Sequence, residues 1–308
     1  MTSTHSPSGP LTGQVGIVTG AGKGLGRAFA RDLAAAGAAV VVNNRNRQVD
    51  ADGRGPADHV VDEITAAGGQ AVAEHSDLAD PSAASAIVDL TLRTFGRLDF
   101  VVANAAVSNP AMFHKSTPAD FDAVTKVNVG GAAHLVMLCA AHMRTQRQGR
   151  IVLVASTAGL HGEPTASAYS ASKGAVIALG RAIAVEGAPR NVLTNVLLPY
   201  ATTQMTDTGM NSRYRDVMTA ESVAPVVTAL ADPRCALNGQ VIVSAAGALR
   251  AAAAVEFGTV ALPDGPLSPE RLGELLGESR AVAPREYPEA LTAFLDFAGE
   301  ITGAEADR

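Results

Sequence analysis

The sequence predicts an α/β protein: a doubly wound parallel sheet of about seven strands, helices on both faces, and a helical C-terminal appendage. Two observations carry that expectation. Short runs such as 40–43, 99–103 and 151–155 are apolar at nearly every position, as strands covered on both faces must be. Between them lie longer segments whose apolar residues recur at helical spacing. Parallel neighbours require crossover connections, and crossovers of one hand leave few topologies. Hydrophobic residues make up 47% of the 308 and charged residues 18%, a balance that supplies a sizeable core and excludes a wholly disordered chain.

In chain order, strands are expected at 13–19, 39–43, 70–74, 99–103, 150–155, 192–198 and 240–244. Helices are expected at 25–36, 57–67, 81–95, 120–147, 167–186 and 221–230. Pro81 and Pro118 stand near helix starts, where a missing N–H costs nothing, and Gly37, Gly68 and Gly96 stand just past helix ends. After Gly247 the character changes. An alanine-rich stretch at 251–255 reads as helix filler, Leu262-Pro263-Asp264-Gly265-Pro266 marks a turn, and short helices are expected at 269–278 and 288–300. The arginines between 144 and 150 read as a solvated helix end.

Lys and Arg number 24 against 30 Asp and Glu, a net charge of −6, so the basic footprint of a nucleic-acid binder is missing. Two cysteines, Cys139 and Cys235, make neither a disulfide framework nor a metal site and read as reduced thiols of a cytoplasmic protein. Residues 1–10 carry no basic, apolar signal pattern and read as a flexible leader. No run of 18 uninterrupted apolar residues predicts a membrane partner. Trp is absent, which argues against an aromatic stacking surface.

The first strand leads straight into Thr19-Gly20-Ala21-Gly22-Lys23-Gly24-Leu25-Gly26 and then a helix. Glycines let the backbone turn tightly against a pyrophosphate, and the helix start offers unpaired N–H groups. This position between the first strand and the first helix marks a dinucleotide site. An acidic residue about 20 positions on ordinarily holds the ribose 2′-hydroxyl. Here Asn44 stands 18 residues after Gly26, followed by Arg45. Without a carboxylate to repel it, a 2′-phosphate could pair with Arg45 and Lys23, which favours NADP(H) over NAD(H). The alternative is that both cations face solvent and either cofactor binds.

Tyr169 and Lys173 are four residues apart on an expected helix and so share one face. An ammonium beside a phenol lowers its pKa, suiting it to exchange a proton with an alcohol or ketone. Ser156 closes the fifth strand at the carboxyl edge of the sheet, placed to hold a substrate oxygen. Asn128, followed by Val129-Gly130-Gly131, weakens the long helix, and an irregularity there could free a carbonyl for a water relay toward Lys173.

Together the glycine loop, Asn128, Ser156 and the Tyr169/Lys173 pair resemble the cofactor loop and catalytic tetrad of the short-chain dehydrogenase/reductase family, over about residues 11–247. The resemblance implies Tyr169 as acid/base, Lys173 as its modulator and ribose ligand, Ser156 as substrate-oxygen donor and Asn128 as relay organiser. It implies cofactor contacts from Gly20, Gly22, Lys23, Gly24, Leu25, Gly26, Asn44, Arg45, Asp77, Leu78, Asn104, Ala105, Tyr169, Lys173 and Pro199, and no metal. Ala106 stands where the family keeps glycine, and Tyr200 replaces the glycine of a common Pro-Gly, where it could line the substrate pocket. The stretches 40–43, 221–226 and Asn238-Gly239 are similar to the hydroxyacyl-CoA dehydrogenase unit of peroxisomal multifunctional β-oxidation enzymes. That unit carries an acid where this chain has Asn44.

The implied division is a leader at 1–10, a Rossmann-type cofactor-binding and catalytic domain at 11–247, and a helical extension at 248–308. The irregular segment 201–220, with Met205, Met210 and Met218, resembles the family's substrate-binding loop. His114 and His161 read as solvated loop residues, with a substrate role as the alternative. The expected activity is hydride transfer between a nicotinamide cofactor and a secondary alcohol or ketone, by a cytoplasmic homodimer or homotetramer joined through helices 120–147 and 167–186. Two other readings stay open at this point: a catalytically silent dinucleotide-binding regulator or scaffold, and a purely structural subunit.

Overall fold

The computed structural model describes residues 9–45, 49–203 and 212–302. Eight strands form one sheet: β1 (Val15–Thr19), β2 (Ala39–Asn43), β3 (Gln70–Glu74), β4 (Phe100–Ala103), β5 (Gly149–Val154), β6 (Val192–Pro199), β7 (Val241–Ala245) and β8 (Ala248–Ala252). Their order is β3-β2-β1-β4-β5-β6-β7-β8, and every pairing from β3 across to β7 is parallel. The chain winds outward from β1 to β3, then returns past β1 to start β4. That reversal leaves a crevice above the carboxyl ends of β1 and β4, where ligands bind in open α/β sheets.

Connecting helices are α1 (Gly24–Ala35), α2 (Pro56–Ala66), α3 (Ala83–Phe95), α4 (Pro118–Thr125), α5 (Ala132–Gln146), α6 (Ala158–His161), α7 (Ser167–Gly187), α8 (Ser212–Arg215) and α9 (Ala224–Ala231). Helices α1, α2 and α9 bury Phe29, Leu33, Val60, Ile64, Val227 and Leu230 against Val18, Val40, Val42, Val102 and Val152 of the sheet. The alternate strand residues Ile17, Val41, Val101 and Ile151 are also fully buried, pointing to the opposite face. There α3, α5 and α7 pack on one another and on the strands. The sequence shows why: each central strand is a Val/Ile run without polar alternation, so both sides demand cover.

The sheet has eight strands, one more than expected, because alanine-rich residues after Gly247 are extended rather than helical. Ala246 and Gly247 take positive φ of 49° and 73°, a two-residue hairpin turn that sends β8 back beside β7. The single long helix expected at 120–147 is interrupted by a π-helical turn at Lys126–Gly131. By length and composition alone Pro118–Gln146 is apolar enough to cross a bilayer. It is instead a packed element of the domain, with Leu135, Val136, Cys139 and Met143 buried. Arg150 does not join a solvated helix end: it lies in β5, 3% exposed, its guanidinium held by the carbonyls of Gly149 and Pro233.

The chain divides into two compact units, Met1–Ala251 and Ala252–Arg308. The second holds α10 (Pro269–Arg280) and α11 (Ala290–Thr302). Within it Arg285 pairs with Asp296 at 2.6 Å and Glu300 at 2.5 Å, and Tyr287 donates to Asp296. Of the expected leader, residues 1–8 lie outside the described ones, while Gly9 hydrogen-bonds Thr12.

Candidate active site

Each wall of the crevice comes from a strand end. β1 ends in Thr19, whose hydroxyl accepts the backbone N–H groups of Asn104 and Ala105, both at 3.0 Å, just after β4. The Asn104 amide donates back to the Thr19 carbonyl at 2.9 Å, so the glycine loop and the β4 end are clamped as one piece. Glycine is required at two points here. A Cβ on Gly26 would sit 2.3 Å from the Gly20 carbonyl oxygen, and one on Gly20 would sit 2.9 Å from the Ala105 backbone. The first turn of α1 therefore approaches the loop as closely as bare backbone allows, with its N–H groups at the crevice.

A cavity of about 880 Å³ occupies the crevice. Of the expected cofactor contacts, Gly20, Lys23, Gly24, Leu25, Gly26, Asn44, Arg45, Asp77, Leu78, Asn104, Ala105, Tyr169, Lys173 and Pro199 all line it. Gly22 does not; it sits behind the loop, where a Cβ would lie 2.6 Å from Pro56 and 2.7 Å from the Asn44 side chain. The wall that carries Asp77 is built on a buried carboxylate. Glu74 accepts from Asn43 Nδ2 at 2.6 Å and from the Ser76 N–H at 3.1 Å, which fixes the turn carrying Asp77. Arg45 Nη1 reaches Asp77 at 3.1 Å, so both signs of charge stand at this end. The shape and donor set fit a dinucleotide: a glycine cradle, an uncapped helix start and a long polar cleft.

At the other end Ser156, Tyr169 and Lys173 line the same cavity. The Ser156 hydroxyl hydrogen-bonds the Tyr169 phenol and accepts the Ala158 N–H at 3.2 Å. Lys173 is 3% exposed, and its Nζ lies 5.6 Å from the Tyr169 ring centre while donating to the Val154 carbonyl at 2.8 Å. Burial, with no compensating anion, pushes the Lys173 pKa down to about 8. The expected acidification of the phenol is corrected here. Burial raises the Tyr169 pKa and the Ser156 hydrogen bond opposes it only in part, while Lys173 directs one of its N–H groups at a strand carbonyl.

Asn128 is not in the cavity. It lies 1% exposed in the π-helical turn, accepting the Val107 N–H at 2.8 Å and donating to the Val107 carbonyl and to Ser172 Oγ, both at 3.0 Å. Ser172 in turn donates to the Tyr169 carbonyl at 2.7 Å. The side chain is thus a clamp between the β4 loop and the tyrosine helix. Ser108, Thr157 and Glu163, missed in the sequence, also line the cavity, and Tyr200 does line it. These lie on loops, where no period signals them. His114 and His161 do not line it. Of the 201–220 segment, Met205 and Met210 lie outside the described residues, while the Met218 carbonyl accepts the Thr202 N–H.

The profile of the short chain dehydrogenase family matches residues 14–217. The chain belongs to the short-chain dehydrogenase/reductase family. It is similar to a short-chain type dehydrogenase/reductase of Mycobacterium tuberculosis, 40% identical over 75% of this chain and 82% of that protein. It also resembles the peroxisomal multifunctional enzyme type 2 of Drosophila melanogaster, 36% identical over 76% of this chain but only 39% of that longer protein. The crystal structure of a short chain dehydrogenase from Mycobacterium avium superposes with a TM-score of 0.78 and 34% identity, over 91% of this chain and 99% of that one. As a member of this family, the protein is an NAD(P)-dependent oxidoreductase acting on small molecules.

Proposed function

We propose that the enzyme reduces a ketone, or oxidises the matching secondary alcohol, with Tyr169 as general acid/base and NADP(H) as the favoured cofactor. The observation that carries this reading is the Ser156–Tyr169 hydrogen bond beside buried Lys173, in the cavity that also holds the glycine loop. The nicotinamide, when bound, supplies or accepts the hydride. Ser156 holds the substrate oxygen. Tyr169 donates its proton to that oxygen during reduction, and its raised pKa keeps the phenol protonated for this task at neutral pH. Lys173 steadies the phenol and reaches the ribose; Asn128, held in the π-helical turn, organises the proton relay. Preference for NADP(H) is supported by the amide at Asn44 and by Lys23 and Arg45 in the cavity wall. Catalysis and cofactor binding belong to residues 11–247; of the expected extension at 248–308, Ala248–Ala252 forms β8 and the remainder carries α10 and α11. The unpaired thiols Cys139 and Cys235 suit a reducing compartment such as the cytoplasm.

Tyr169→Phe should lower kcat at least a hundredfold on any accepted ketone while leaving cofactor affinity within about threefold, read by steady-state kinetics and fluorescence titration. Retention of several per cent of turnover would count against Tyr169. In the native enzyme kcat/KM for NADPH should exceed that for NADH, and Arg45→Ala should shrink the ratio. A native preference for NADH would end the cofactor assignment.

A further inference from the structure

The cavity is electrically polarised along its length. Its cofactor end carries Lys23 and Arg45 with Asp77, and its catalytic centre carries Lys173. Among the other described lining residues on the loops around that centre, Glu163 is the one charged group; Ser108, Thr157 and Tyr200 are neutral. The Glu163 backbone is also fixed in place. Its N–H donates to Ser170 Oγ at 3.1 Å, beside Tyr169, and its carbonyl accepts the Ala166 N–H at 3.1 Å. Positive φ at Gly162 (72°) and Thr165 (66°) folds the loop back, and the Thr165 carbonyl accepts the Ala111 N–H at 2.7 Å. The carboxylate is thus carried by the loop that enters α7, the helix of Tyr169 and Lys173.

We propose that Glu163 selects substrates by charge, favouring ketones that bear an ammonium or hydroxyl group near the carbonyl and disfavouring those that bear a carboxylate. This rests on reading the cavity as the site of ketone reduction. The side chain is exposed, so water screens it and the effect is one of selection rather than of tight capture. The protein's net charge of −6 acts in the same direction at longer range.

The test uses three ketones of one shape: acetophenone, its 3-aminomethyl derivative and 3-acetylbenzoate. Each is assayed for turnover with NADPH and NADH, and each is titrated calorimetrically onto full-length protein saturated with NADP⁺ or NAD⁺, where no reaction can run. The ammonium compound should exceed the carboxylate by about tenfold in kcat/KM and in affinity. Glu163→Gln should bring that ratio to within about twofold, and Glu163→Lys should invert it. A flat series in the native protein, including no measurable binding of any member, overturns the proposal. So does a ratio that survives Glu163→Gln. Charge-ordered binding without turnover of any ketone would instead leave the selection standing and remove the ketone-reductase reading beneath it.

Discussion

Lys173 shows what the active site costs the fold. It is buried beside the phenol, it donates to a strand carbonyl, and among the described residues no carboxylate pairs with it. Burial lowers its pKa from the ordinary 10.5 to about 8. A depressed lysine binds its proton less tightly in the folded state than in the unfolded chain. Below pH 8 both states are protonated and the folded one bears the full penalty, about 3 kcal/mol. Between pH 8 and 10.5 the unfolded chain still holds the proton that the folded protein has released, so stability rises with pH. Urea denaturation of the ligand-free protein should therefore show the native enzyme gaining about 3 kcal/mol relative to Lys173→Met across that window. A pH-independent difference between the two would mean that the amine is solvated. The four-residue spacing of Tyr169 and Lys173 made their proximity legible; the direction of the phenol's shift was not, because burial is a property of the packed site and not of spacing.

The π-helical turn at Lys126–Gly131 ties the loop after β4 to the helix that carries Tyr169 and Lys173. Asn128 there satisfies both backbone groups of Val107 and reaches Ser172 on α7, joining three pieces of chain that meet only in the folded state. Asn128→Ala would strand a half-buried Val107 N–H and carbonyl and should cost about 2–4 kcal/mol of unfolding free energy. In the same variant kcat should fall more than KM rises, because Tyr169 loses its positioning and substrate contacts remain. A variant as stable and active as the native enzyme would show that the turn holds itself. The weakness of the helix here was readable from Asn128 and the Gly130-Gly131 pair, and the buried strands were readable from unbroken Val and Ile runs. β8 was not, because alanines after Gly247 favour helix locally and only the Ala246-Gly247 turn beside β7 overrides them. The burial of Arg150 was hidden for a similar reason: nothing local announces the Pro233 carbonyl that receives its guanidinium.

In the first unit, the packed layer of α3, α5 and α7 bears on how whole molecules associate. Met137 is 65% exposed and Leu138 40% on α5, and Val185 is 42% exposed on α7. Single apolar residues at a surface need no explanation, but three on packed neighbouring helices of one layer are candidates for a surface that a partner covers. We propose a homo-oligomer through these helices. In a two-fold interface each residue lies near its own symmetry mate or that mate's neighbours, so one substitution changes both sides at once. Met137→Asp would place two carboxylates in the same desolvated patch, where like charges cost far more than on an open surface. Sedimentation velocity at micromolar concentration should show a dimer or tetramer for the native enzyme and a shift toward monomer for Met137→Asp/Val185→Asp. Circular dichroism should be unchanged, since both positions face outward. A native protein that sediments as a monomer, or a double variant that sediments as the native one does, would move the interface elsewhere.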